Sequence, residues 1–123
     1  MIRRELIERA VDLIVAQCDP EQVFVVGSYA TGTATASSDL DLLVVQHSQE
    51  ARDKRRARIE RLLSPLLIPV DVHVFTPAEL EDESSQRYAF ARTAPREGTL
   101  VYSRAQGCVV VDFDARRSPA GPL

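Results

Sequence analysis

Apolar residues recur at helical spacing from the start of the chain, with Ile2, Leu6, Ala10, Leu13 and Ile14 on one side and Arg3, Arg4, Glu5, Glu8, Arg9 and Asp12 largely on the other. This pattern predicts a surface helix over residues 2 to 17. Asp19-Pro20 ends it, and the unbroken apolar run Val23-Phe24-Val25-Val26 predicts a short buried strand that stops at Gly27. From Gly27 to Ser38 the chain turns to Gly, Ser, Thr and Ala, which predicts a loop holding one helical turn at Ser28 to Thr31. Leu40 to Val45 reads as a second strand. Residues 49 to 67 read as a charged helix whose apolar side, Ile59, Leu62, Leu63 and Leu66, is confined to its second half, with Pro65 bending or ending it. Val70 to Phe75 reads as a third strand. Thr76-Pro77 followed by Glu79 is a capping box with proline at the first helical position, so a helix starts there and is expected to run, with a break, through Ala91.

Leu100 to Tyr102 predicts a further strand, and Val109-Val110-Val111-Asp112-Phe113 is a β-prone run that suits an edge strand or pairing with another chain. The alternation of helices and strands predicts an α/β or α+β fold with a mixed sheet covered by helices; periodicity leaves the strand order open. We expect one domain over residues 1–103 and an extension over 104–123 that ends in a frayed tail from Ser118.

Composition narrows the picture. The chain has 123 residues, the size of a single domain, and its 15 basic against 18 acidic residues give a net charge of −3. That balance argues against coating nucleic acid as the main task. Cys18 and Cys108 lie far apart and have no metal-ligand spacing, so both are expected to be small core hydrophobes. The charged N-terminus contains no apolar run long enough for a signal peptide or a membrane span, which predicts a cytoplasmic protein.

The candidate chemistry lies between residues 27 and 71. Asp39 and Asp41 flank Leu40 at the start of a strand, where alternation puts both carboxylates on one face, roughly 7 Å apart. Such a pair suits two metal ions held about 3.5 to 4 Å apart, since Mg²⁺ takes oxygens from a few carboxylates, water and phosphates. Asp71 interrupts an apolar run that predicts a buried strand, and a carboxylate there is costly unless a nearby cation keeps it ionised. Gly27-Ser28, with Gly32 a turn later, offers a polyphosphate close backbone approach, a hydroxyl and amides at a helix start. The Walker pattern is absent, because no Lys or Arg lies between Gly27 and Ala51, and a P-loop NTPase is excluded.

Gly27-Ser28-Tyr29-Ala30-Thr31-Gly32, then Ser38-Asp39-Leu40-Asp41-Leu42, then Asp71, resembles the nucleotidyltransferase superfamily that includes DNA polymerase beta, and within it the minimal nucleotidyltransferases. The resemblance is strong over residues 23 to 75, and Glu97 to Tyr102 looks like the family's closing strand. It implies that Gly27, Ser28, Gly32 and Ser38 belong to the nucleotide-binding loop and that Asp39, Asp41 and Asp71 hold Mg²⁺, two ions being expected. It further implies that Asp71 assists deprotonation of an acceptor hydroxyl, which attacks the α-phosphorus of an NTP, with ATP as the expected donor. One departure is Thr31, where many minimal members place Arg.

Little chain follows Val101, so the acceptor half of the pocket is expected from a second chain, from self-association or from a macromolecular acceptor. Minimal members that stand alone resemble the antitoxin of toxin-antitoxin pairs whose partner is a helical HEPN toxin, and the implied activity is AMP transfer to a toxin tyrosine. Two other readings stand beside it: a module that neutralises a partner by binding alone, motivated by Thr31, and an oligomeric enzyme acting on a small molecule or RNA end. His73, on the same strand face as Asp71, is read as a packed or partly exposed strand residue and His47 as a surface residue, both outside the site. Arg52, Lys54, Arg55, Arg56, Arg58 and Arg61 are read as a solvated helix face, interleaved with Asp53 and Glu60. The acidic run from Glu79 to Glu83 is read as helix-start charge favoured by the dipole.

Overall fold

In a computed structural model of the chain, described over residues 2–81 and 98–108, the apolar stripe Ile7, Ala10, Val11 and Ile14 forms the buried side of helix α1, Arg4–Cys18. Asp19 ends α1 in the left-handed conformation, its N–H bonded to the Val15 carbonyl, which lets the chain reverse at Pro20. Strand β1, Gln22–Val26, follows, then the single turn α2, Ser28–Thr31, and strand β2, Leu40–Val45. Helix α3, Arg52–Leu63, runs into a 3₁₀ turn at Ser64–Leu66, where Pro65 cannot donate to a continuing α-helix. Strand β3, Val70–Phe75, helix α4, Pro77–Glu81, and strands β4, Thr99–Ser103, and β5, Gly107–Cys108, complete the described elements. The capping box forms reciprocally: Thr76 N–H donates to Glu79 Oε1 at 2.8 Å and Glu79 N–H to Thr76 Oγ1 at 3.1 Å. The expected continuation of this helix to Ala91 and the run Val109–Phe113 lie outside the described residues.

The strands form one mixed sheet in the order β3-β2-β1-β4-β5. β1 lies antiparallel between β2 and β4, and β2 lies parallel to β3. The parallel step requires a crossover, which α3 supplies. One face of the sheet, including Val23, Val25, Leu40, Leu42, Val44, Val72 and Val74, packs with Ile7, Ala10, Ile14, Ile59 and Leu63 into the main core. On the other face Phe24, Val26, Leu43, Val45 and Phe75 form a smaller cluster with Leu80 and Leu100 against it.

Among the described strands β3 lies at the edge of the sheet and Asp71 is half-exposed on it, which corrects the expectation that Asp71 is buried in the middle of a covered strand. The apolar residues before Val70 belong to the 3₁₀ turn and the loop after it, where Leu67 is 90% exposed with φ +55°. No helix among the described residues is long and apolar enough to cross a membrane. Cys18 packs half-buried against the main core, and burial pushes its thiol pKa up.

Candidate active site

The site is assembled where β1 ends and β2 and β3 begin. Val26, the last residue of β1, pairs with Asp41, so the next residue, Gly27, turns beside that carboxylate. Gly27 has φ +72° and ψ −149°, a region essentially restricted to glycine. A Cβ there would stand 2.5 Å from Asp41 Oδ2. Both the backbone and the close approach therefore demand glycine, and the space it leaves is filled by the acid. The Gly27 carbonyl accepts the Ala30 and Thr31 amides at 3.0 and 3.1 Å, which starts α2 at Ser28. Gly32 closes the turn with φ +79°. Thr31 turns its hydroxyl inward, within 3.4 Å of the Gly27 and Ser28 carbonyls and 2.9 Å of Thr33 Oγ1. Ser38 braces the loop into β2: its Oγ accepts the Thr35 amide at 2.8 Å.

The parallel register of β2 and β3 pairs Asp41 with Asp71. Because side chains alternate along a strand, Asp41, Asp71 and His73 share the face turned away from α1 and α3. Their donor atoms lie within 4.8 Å of one another. Asp39 stands exposed, two residues before Asp41 and ahead of the strand, and is not in that group; its charge still reaches Asp41. The pKa of Asp41 is raised from the usual 3.8, first by partial burial and then by the negative charge of Asp71, with Asp39 adding to it and His73 opposing. The site thus gathers more negative charge than its own residues neutralise. Two carboxylates and an imidazole, one acid seated against a glycine that makes room for it, are a donor set that fits a divalent cation.

Two residues near the acids carry more than the sequence pattern assigns them. Arg56 stays exposed on its helix face and pairs locally with Glu60 at 3.1 Å, as expected, but it also donates to Asp71 Oδ1 at 2.7 Å, which ties it to the site. Arg55 departs further from that expectation. It is buried, donates to both Glu79 oxygens at 2.8 and 3.1 Å and to the Val74 and Glu50 carbonyls, and locks α3 to the edge strand and to α4. Its aliphatic stem packs while its guanidinium finds acceptors, a division that charge counting along a helix does not reveal. His73, read from sequence as a packed or partly exposed strand residue, completes the close group; the signal was its two-residue offset from Asp71. A cleft of about 310 Å³ opens beside the acids, lined by Arg52, Asp53, Arg56, His73 and Phe75 among others. Arg52 lies over the Phe75 ring, 5.7 Å from its centroid. His47 is exposed at the far end of β2, 3.4 Å from Glu21.

Comparison with known proteins agrees with this geometry. The family described as nucleotidyltransferase domain matches residues 4–94, which include every residue of the site. A crystal structure at 1.40 Å of a Sulfolobus solfataricus protein, provisionally assigned as a nucleotidyltransferase, superposes with a TM-score of 0.58 over 87% of this chain and 86% of its own, at 22% identity. At that identity the match establishes the shared fold. No curated protein matches the sequence.

Proposed function

The chain belongs to the nucleotidyltransferase domain family, and from that premise we propose that it moves AMP from ATP onto a hydroxyl acceptor in a reaction that uses divalent cations. The observation that carries this reading is the β2/β3 register, which sets Asp41 beside Asp71 at the sheet end where Gly27 turns. Gly27 and Ser28 hold the triphosphate, by close backbone approach and a hydroxyl, and Gly32 and Ser38 fix the loop that presents them. Asp39, Asp41 and Asp71 hold Mg²⁺, two ions by family resemblance, with His73 within reach. When bound, the cations supply charge neutralisation for the attacking and leaving oxygens. The acceptor oxygen forms its bond to the α-phosphorus while the bond from that phosphorus to the bridging oxygen breaks. Pyrophosphate leaves with that electron pair, and the hydroxyl proton departs through Asp71, which Arg56 holds in place.

The acceptor we take to be a tyrosine of a HEPN-type toxin, with this chain as its antitoxin, acting in the cytoplasm. Support comes from the resemblance of the Gly-Ser turn and Ser-Asp-Leu-Asp strand to stand-alone minimal members. Leu67, 90% exposed on the loop that leads into the Asp71 strand, adds an apolar contact suited to a macromolecule. The test is incubation of the protein with Mg²⁺ and α-labelled ATP, with and without the HEPN-type product of an adjacent gene, against Asp39→Asn/Asp41→Asn. Label on the partner that vanishes in the double variant supports the reading. Tight binding of the partner by both proteins with no label on either sinks the enzymatic part and leaves a binding module, the outcome to which the uncharged Thr31 would then point.

A further inference from the structure

The face of the sheet that carries the acids also carries an imidazole. His73 follows Asp71 by two residues on β3, so the strand repeat puts both on that face. Its Nε2 lies 4.0 Å from Asp71 Oδ2, too far for a hydrogen bond. Donors of Asp41, Asp71 and His73 all fall within 4.8 Å of one another. Donors about 2.1 Å from a shared cation stand about 3.0 Å apart when adjacent in an octahedron and about 4.2 Å apart when opposite, so the group closes on one ion with side-chain shifts of up to about 1 Å. Arg56 constrains the arrangement: it engages Asp71 Oδ1 at 2.7 Å, which leaves Oδ2 as the oxygen nearer His73.

Donor chemistry then decides which cation fits. Mg²⁺ asks for oxygen donors and gives up its water reluctantly, whereas imidazole nitrogen belongs with the first-row transition metals, whose affinity for mixed N/O sites rises along the series. We propose that His73 is an inner-sphere ligand of the divalent cation held by Asp41 and Asp71, and that it makes the centre select a first-row transition-metal ion over Mg²⁺. The proposal rests on the cation-dependent reading of the site given above and deepens it by naming a ligand and a class of metal. A histidine that merely packs on an edge strand would leave the cation to oxygen donors alone and would give no such preference.

Mn²⁺ is the probe, because its electron spin reports directly on bound nitrogen. The full chain is loaded with Mn²⁺, with and without ATP, and electron spin-echo modulation is recorded for wild type, His73→Gln and Asp41→Asn. The expected result is a single ¹⁴N nucleus coupled to Mn²⁺ in wild type. In His73→Gln that coupling disappears and Mn²⁺ affinity falls at least about tenfold, the scale seen when even an outer-shell partner of a metal ligand is removed. Mg²⁺ affinity, measured by competition, should change far less in the same variant. Mn²⁺ bound without nitrogen coupling in wild type, and lost in Asp41→Asn, overturns the role of His73 while the carboxylate cation site stands. Failure of wild type to bind Mn²⁺ at all, with or without ATP, overturns both the proposal and the reading on which it rests.

Discussion

Asp41 sits half-buried against Gly27, facing another carboxylate, and its burial, followed by the charge of Asp71, raises its pKa. Because the folded value lies above the usual 3.8, the stability it lends is fully present below that pH and is lost as the pH rises through the folded value. Asp41→Asn is therefore expected to melt higher than wild type at neutral pH, with the gap closing as the pH falls toward the ordinary aspartate value. The same variant should lower nucleotide transfer by at least about a hundredfold, the scale of losing one preorganised electrostatic group. Thermal melts across pH together with label-transfer rates check both; equal melting temperatures at neutral pH would show that the charge is already compensated. Gly27→Ala should cost about 1–3 kcal/mol, because its φ of +72° and ψ of −149° suit only glycine, and its methyl should push Asp41 aside. Chemical denaturation and transfer assays should both show the loss. At this scale the turn at Gly27 and the meeting of Asp41 with Asp71 were legible, since a glycine after an apolar strand and acids at strand spacing point to one sheet end, whereas Asp39 stands ahead of the strand and outside the close group. His73 and Arg56 were not legible, because each gains meaning only from the strand and helix it is set against: the ligand group crosses from β2 to β3, and Arg56 reaches a strand fifteen residues away.

Among the elements, α3 is the one whose surface was misjudged. Arg55 is 6% exposed at its side chain and bridges to Glu79, which also accepts the Thr76 amide of the capping box. One carboxylate thus fixes the start of α4 and the approach of α3 to β3. Glu79→Ala leaves a buried guanidinium short of its counterion and should cost about 3 kcal/mol or more, more than an exposed capping residue would. The pKa of Glu79 is lowered from 4.5, first by its hydrogen bonds to Arg55. Its stabilising effect is therefore present above that value and is lost as the pH falls through the folded value. An acid denaturation midpoint that shifts upward in Glu79→Ala, compared by circular dichroism, checks the link. An unchanged midpoint would mean that the pair adds nothing. The elements themselves were largely legible: β2, β3 and the turn α2 fall where alternation and glycine placement put them, and Pro65 breaks α3 as proline must. The edge position of β3 was hidden, because an apolar run before a strand looks the same whether it continues the strand or forms the turn that enters it.

For the molecule as a whole, the sheet order brings the ends of three strands together and leaves β3 at the rim with its acid half exposed. Periodicity supplies helices and strands, whereas the order β3-β2-β1-β4-β5 depends on pairings between segments distant in sequence, so the sheet could be foreseen as mixed without its order. Beside this rim Leu67 is held in the left-handed region, at a cost of roughly 1–2 kcal/mol for a residue of its kind, with almost nothing packed on it. Leu67→Asn should leave the fold as stable as wild type or slightly more so, while weakening capture of a macromolecular acceptor; melting temperature and partner affinity read the two effects separately. Unchanged affinity would remove this loop from the docking surface. The central claim is nucleotidyl transfer at the Asp41–Asp71 pair. Its most direct test supplies the protein and its acceptor with ATP labelled at either the α- or the γ-phosphate. Label from the α position on the acceptor, with γ label released as pyrophosphate and neither seen in Asp39→Asn/Asp41→Asn, is the result expected here. Label from the γ position on the acceptor, or transfer that survives the double substitution, would contradict it.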